Sequence, residues 1–284
     1  MFERQRSGSV VCPGCHRLVG VNEADCPHCG RGNPGMFGYS RALQRFSGGE
    51  GFVPLVIGAC SLLYVLTLLW RFQGIGGGGL LQFLSPSGVG LMTFGASGAY
   101  PVFGLGRWWT VLSASWLHGG LLHIVFNMMW IRNLAPILIR LFGPGRAVII
   151  YLVSGVAGFT LTSVVGYLLP GLPAFLRGAT ITIGASAAIF GLFGALVLYG
   201  QRTGSRALSQ QVWSWALVLF VFGLIMPGID NYAHLGGFAG GYFAAAALDP
   251  LTPERPQHLL AGLLGLAASL IAIVVSVLTA PVLQ

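Results

Sequence analysis

From Phe52 onward the chain is a succession of long apolar stretches, and this constrains its fold more than any other feature. Seven stand out, at roughly 52–71, 118–139, 146–169, 185–200, 211–227, 232–248 and 258–280. Each approaches the ~20 residues that a helix needs to cross the hydrocarbon core of a bilayer. Charged residues make up 8% of the sequence, against about 25% in a soluble domain, too few to cover a water-facing surface. The expectation is an all-α polytopic membrane protein whose first partner is the lipid bilayer. The fourth stretch is short, which fits a helix that begins below the membrane surface beside a water-filled cavity.

The net charge of +8 is carried by Arg alone, for Lys is absent. No basic cluster interleaves with aromatic residues, so nucleic acid is not expected as a partner. The amino terminus, MFERQRSGSVVCPGC, has no apolar core of the kind a secretory leader carries, and no cleavable signal is expected. Arginine placement sets the orientation. With the amino terminus cytoplasmic, the inner connections hold Arg4, Arg6, Arg17, Arg31, Arg41, Arg45, Arg140, Arg146, Arg202, Arg206 and Arg255, and the outer ones only Arg71, Arg107 and Arg177. The carboxyl terminus then lies outside. The first outer connection, 72–117, combines a glycine run with Trp and Pro. It is expected to lie in the interface, with Trp108 and Trp109 at headgroup level.

Residues 1–50 are different. They hold four of the five cysteines, arranged as Cys12-Pro-Gly-Cys15 and Cys26-Pro-His-Cys29. Two such knuckles complete a tetrahedral four-thiolate zinc site. Disulfides are the rival, but thiols on the cytoplasmic side stay reduced. A module this small builds no adequate core of its own, so the metal is expected to be structural. His16 and His28 are not expected to be ligands, and Cys60, in the first span, reads as a packing residue.

Ionisable and strongly polar groups within a span are costly and mark functional candidates. The second span carries His118, His123 and Asn127; the fourth begins at Ser186; the sixth begins Asp230-Asn231-Tyr232-Ala233-His234. In the inferred topology these spans run in the same direction, so all of these groups lie in the outer half of the membrane. On a helix at about 100° per residue, His123 and Asn127 share a face, whereas His118 and His123 lie about 140° apart. A His–His metal pair therefore needs a bend in the chain. There is no His-Glu-x-x-His motif, and Asp230 is the one acidic residue at this depth, which excludes a two-aspartate proteolytic site. Gly184, Ala187, Ala188, Gly191 and Ala195 on the fourth span, and Gly236, Gly237, Gly240 and Gly241 on the sixth, permit close backbone approach. Ser186 alone would read as one more packing residue. Its depth match with His234 makes it a candidate nucleophile with a neighbouring base, and His123, Asn127 and the helix-start amides are candidate oxyanion donors.

The motifs GASAAIFG around Ser186, AHLGGFAGG around His234 and HGGLLHIVFN ending at Asn127 together resemble the rhomboid intramembrane serine proteases over roughly residues 50–250. The resemblance implies a six-helix core at 52–250, a cytoplasmic zinc-ribbon-like module at 1–35, a linker at 36–51 and an additional transmembrane helix at 251–284, the first and last as appendages. It implies Ser186 as nucleophile and His234 as general base without an essential acid. His123 and Asn127 match the family's oxyanion-stabilising pair, and His118 the histidine linked to hydrogen bonding and water retention. Phe190 takes the place of the aromatic that packs on the catalytic imidazole, and Gly184 belongs to the serine motif. Asp230 is expected as a solvated helix start. The implied activity is hydrolysis of a peptide bond in or beside the transmembrane segment of a membrane-protein substrate, near the outer face of a bacterial plasma membrane, with no cofactor for catalysis. A cytoplasmic partner for the zinc ribbon stays open.

Three departures from the family pattern stand out. Ala187 replaces the usual Gly after the serine, Trp108-Trp109-Thr110 stands where Trp-Arg is usual, and a Glu common near the inner end of the second span is missing, with Ile139 nearby. The alternative reading, for which Ala187 is the main support, is a catalytically weak or inactive rhomboid-like protein that binds client transmembrane helices for quality control. A transporter would need an inverted repeat of broken helices, which the sequence lacks.

Overall fold

A computed structural model describes residues 4–12, 15, 17–38, 51–70, 83–173, 177–226, 228–252 and 254–280. His16, the linker from residue 39 onward and the glycine run at 74–79 lie outside the described residues. The chain divides into two compact units, residues 1–52 and 53–284.

In the first unit, strands β1 (Ser9–Val11) and β2 (Leu18–Gly20) form an antiparallel hairpin in which Val10 faces Val19. Val10, Val19 and Val21 pack with Cys12, Cys15 and Cys26 into one small core. Beyond each knuckle the chain turns back through a backbone bond, Cys12 N–H to Arg17 O at 2.8 Å and Cys26 N–H to Arg31 O at 2.9 Å. Three valines are a thin apolar core, which is why the thiols sit at its centre.

The second unit contains α1 (Phe52–Trp70), the short α2 (Gly88–Phe94), α3 (Leu121–Phe142), α4 (Pro144–Leu168), α5 (Ser186–Arg202), α6 (Arg206–Ile225), α7 (Asn231–Leu248) and α8 (Pro256–Leu278). A long helix thus forms at each of the seven apolar stretches. Five of them, α1, α3, α4, α6 and α8, are long and apolar enough to cross a membrane. The other two, α5 and α7, are the polar and glycine-rich pair. Together with α4 they form the most extensively packed trio of the unit. In α1 the buried positions Phe52, Val56, Cys60, Tyr64 and Thr67 recur every three or four residues, the stripe of a helix with one protein-facing side.

The contact between α5 and α7 is backbone on backbone. A Cβ at Gly237 would overlap the carbonyl oxygen of Ala187, and one at Gly241 would overlap that of Gly191. On α4, Gly158 likewise leaves room for the carbonyl of Ala233 and the methyl of Ala187. That methyl lies in an apolar cluster with Ala114, Phe159 and Ala233. The residue that departs from the family pattern is thus spent on packing against α4.

The connection between α1 and α3 is built rather than loose. After α2, residues 97–100 pair with the segment that precedes α5: Ser97 and Thr182 exchange backbone bonds at 3.0 and 2.7 Å, Ala99 N–H donates to Ala179 O and Tyr100 N–H to Thr180 O. Trp108 is exposed as expected of an interfacial aromatic, but Trp109 is half-buried and donates its indole N–H to Ser276 Oγ at 3.1 Å. Two arginines counted above as loop charges are also buried, Arg107 at 3% exposure and Arg146 at 2%. Arg107 donates to the carbonyls of Met92 at 2.8 Å and Ser276 at 2.7 Å. Arg146 donates to the carbonyl and hydroxyl of Thr252 and to His258 Nδ1. Glu254 Oε1 accepts the Arg146 backbone N–H at 2.8 Å. A carboxylate at that helix N-terminus is favourable with the dipole, and Glu254 supplies it to a turn that has no acid of its own. The C-terminal helix, expected as an appendage, is therefore tied into the core at both ends.

Candidate active site

Ser186 is the first residue of α5, and His234 lies in the first turn of α7. Because the glycine seam lets the two helices touch, His234 Nε2 and Ser186 Oγ stand 2.9 Å apart, a direct hydrogen bond. Phe190, one turn beyond Ser186, stacks on the His234 ring with centroids 4.1 Å apart and planes within 10°. The imidazole is thus held in plane by Phe190 and at its edge by the serine. His234 is buried, whereas Ser186 is half-buried and accessible. No protein acceptor reaches His234 Nδ1 among the described residues. Among the described residues the site is a Ser–His pair with no carboxylate on the imidazole.

Asp230 is not the solvated helix start expected. It caps α7, its Oδ1 accepting from Ala233 N–H at 3.0 Å and from the Thr162 hydroxyl of α4 at 2.9 Å. The Thr162 hydroxyl oxygen in turn accepts the Ala179 N–H at 2.8 Å. Asp230 therefore ties the start of the histidine helix to α4 and to the segment leading to Ser186. Its partner Thr162 lies 68 residues away in sequence, so local spacing held no sign of it.

Above Ser186 a small cradle is kept open by Gly184. Its φ of +124° is a conformation that side chains disfavour, and a methyl built there would lie 2.7 Å from His123 Nε2 and 3.8 Å from Ser186 Oγ. The Gly184 N–H is anchored on Ala114 O at 2.9 Å. His123 Nδ1 accepts the Gly119 N–H at 3.3 Å, so in the neutral ring the proton resides on Nε2, the nitrogen facing the cradle. Asn127 is buried and donates one amide hydrogen to His123 O at 2.8 Å, leaving its second hydrogen available. The first-turn N–H groups of α5 have no intrahelical acceptor. His123 Nε2 and the first-turn N–H groups of α5 are thus donors near the serine oxygen.

His118 does not belong to α3, which begins at Leu121 after the Gly119-Gly120 bend. That bend overcomes the 140° separation inferred for a continuous helix. The rings of His118 and His123 meet edge to face with centroids 5.2 Å apart. His118 is fully buried.

In the N-terminal unit the four cysteine sulfurs all lie within 4.8 Å of one another, with Cys12–Cys29 at 3.8 Å and Cys15–Cys26 at 3.7 Å. None of the four is in a disulfide. A tetrahedral ion with bonds of about 2.3 Å to sulfur requires edges of about 3.8 Å, so the cluster matches a four-thiolate metal site. His28 is not part of the group.

The family of the chain follows from its sequence relatives. Residues 105–250, about half of the chain, match the family model of the rhomboid domain. The chain belongs to the rhomboid family. It is 35% identical over 169 residues to RHOMBOID-like protein 4 of Arabidopsis thaliana, covering 58% of this chain and 40% of that protein. It is 33% identical over 162 residues to Rhomboid protease GluP of Bacillus subtilis, covering 56% and 29%. With RHOMBOID-like protein 7 of Arabidopsis thaliana the identity is 34% over 163 residues, covering 56% and 49%. The chain matches less than half the length of each of these relatives.

Proposed function

We propose that this chain is an intramembrane serine endopeptidase that hydrolyses a peptide bond in or next to the transmembrane segment of a membrane-protein substrate. The observation that carries the proposal is the 2.9 Å bond between Ser186 Oγ and His234 Nε2, set within a bundle of membrane-spanning length. His234 takes the serine proton as Oγ attacks the scissile carbonyl carbon. The carbonyl oxygen becomes an anion and is received by the Ser186 N–H, His123 Nε2–H and the free Asn127 amide hydrogen. His234 then returns the proton to the leaving amine as the C–N bond breaks. Water, passing His118, His123 and Asn127, repeats the sequence on the acyl-serine. The substrate must unwind locally, because a membrane helix buries its carbonyls in its own hydrogen bonds. Reaction of the detergent-solubilised chain with a fluorophosphonate serine probe tests the proposal. Labelling confined to Ser186, with cleavage of a reporter transmembrane substrate, supports it; a folded chain that does neither overturns it.

The client-binding alternative rested on Ala187, whose methyl group packs toward Gly158 of α4, and loses its main support. The donors have a separate test: His123→Ala and Asn127→Ala should each lower kcat about 10²- to 10³-fold with little change in KM. The excess arginine on the inner connections favours a cytoplasmic amino terminus, which places the site toward the outer face of what the family resemblance implies is a bacterial plasma membrane.

The thiol cluster is proposed to hold structural zinc, which supplies the module with the cross-link its few valines do not. Structural zinc contributes about 10–16 kcal/mol of apparent binding energy in small zinc domains, so removing it should unfold this unit. Metal analysis should find one zinc per chain, and chelation or Cys12→Ser should release it and make residues 1–35 protease-sensitive. Less than about half an equivalent in the intact chain removes the metal from this account.

A further inference from the structure

We propose that the C-terminal helix α8 is a structural arm of the active site, holding the interfacial segment against the segment that leads into Ser186 through the buried guanidinium of Arg107. The proposal rests on reading Ser186 as the nucleophile, but its first test does not. Helix α8 lies beyond the residues 105–250 that match the rhomboid domain, yet it packs on α2, on the short helix Thr110–Ser113 and on α4.

The chemistry of the junction is specific. Met92 lies in the last turn of α2 and Ser276 in the last turn of α8, where the helix dipole is negative; the Met92 carbonyl also accepts the Gly95 N–H at 3.3 Å. Arg107 sends Nη1 to the Met92 carbonyl and Nη2 to that of Ser276. One buried cation therefore caps two helices. A planar fork with fixed donors does this and a lysine does not. Around it, Trp109 donates to Ser276 Oγ, and the Ser113 hydroxyl donates to Gly95 O at 2.7 Å. Gly95 has φ +102°, and a Cβ there would lie 2.6 Å from Ser276 Oγ.

From this junction the route to the nucleophile is short. Ser113 precedes Ala114, whose carbonyl anchors Gly184, two residues before Ser186. Ser97, two residues past Gly95, pairs with Thr182 on the same segment. At the opposite end of α8, Arg146, Thr252, Glu254 and His258 fasten it to the start of α4. Fixed at that end, α8 presents Ser276 to Arg107 at a set height. Arg107 is on this reading a positioning residue: it touches no reacting atom.

The test compares the intact chain in detergent with Ser276→Leu, Trp109→Phe, Arg107→Met and Arg107→Lys. Amide hydrogen exchange is read over 92–97, 110–114 and 179–184, and the rate of Ser186 labelling by a fluorophosphonate alongside it. Ser276→Leu and Arg107→Met should each raise exchange in those three segments about tenfold or more and slow labelling at saturating probe about tenfold. Exchange within α5 and α7 should be unchanged, Trp109→Phe should act in the same direction more weakly, and Arg107→Lys should recover part of the loss. If Arg107→Met does not fold, Ser276→Leu and Trp109→Phe decide. Exchange rising in α8 alone, with the three segments unmoved, overturns the proposal. So does faster exchange there with labelling unchanged. A wild-type chain that is folded but unlabelled overturns the nucleophile assignment instead, and the exchange comparison still tests the support.

Discussion

Ser186→Ala and His234→Ala should each lower cleavage of a reporter transmembrane substrate by about 10⁴-fold or more, and the double variant should lose no more than either single one. The size follows from the geometry. A serine hydroxyl is a weak nucleophile until a base accepts its proton, and among the described residues His234 Nε2, at 2.9 Å, is the base in hydrogen-bond contact with it. Without either member the remaining rate comes from the donors around the Gly184 cradle, which polarise a carbonyl but do not attack it. Non-additivity distinguishes a working pair from two independently useful residues. Ser186→Ala should keep the wild-type melting temperature within a few degrees, because Ser186 is half-exposed and the seam of α5 and α7 is made by glycines, whereas His234→Ala removes a buried ring stacked on Phe190 and should lower it further. Single-turnover cleavage together with thermal unfolding measures both quantities. Equal loss of activity and fold would assign the pair to packing instead.

What the sequence made legible were the features with a period or a depth. Apolar runs located the seven long helices, and the small residues of α5 and α7 pointed to a close contact. The matched depth of Ser186, His234, His123 and Asn127 pointed to one cluster. Features that depend on distant partners were not legible. Asp230 looked like a helix start in water because Thr162 lies 68 residues away on another helix. Arg107 and Arg146 looked like loop charges because their acceptors are carbonyls and hydroxyls of remote segments, which leave no acidic residue to match. Ala187 looked like support for a weak or inactive site, since its neighbour Gly158 belongs to α4, a helix that carried no functional motif. His118 was misplaced for a local reason: Gly119-Gly120 ends the helix, and an apolar window does not register the break.

Gly237→Val should destabilise the chain by roughly 4 kcal/mol or more and abolish serine labelling with it. Overpacking in a core costs less when a side chain yields, because rotamers adjust within a few tenths of an ångström. Here the Cβ would meet the carbonyl oxygen of Ala187, a backbone atom on the first turn of the helix that carries Ser186. The only relief is separation of α5 from α7, and separation lengthens the Oγ–Nε2 contact on which the proposed chemistry depends. Gly241→Val, one turn further along, meets the carbonyl of Gly191 and should cost a similar amount. Gly58→Ala on α1, where nothing lies within 4 Å of the added carbon, should change stability by no more than about 1 kcal/mol. Reversible unfolding in mixed micelles, with labelling measured below each variant's melting temperature, separates the two effects. A Gly237→Val chain that melts like wild type and still labels at Ser186 would show that α5 and α7 do not pack backbone to backbone, and the pairing of Ser186 with His234 would lose its structural cause.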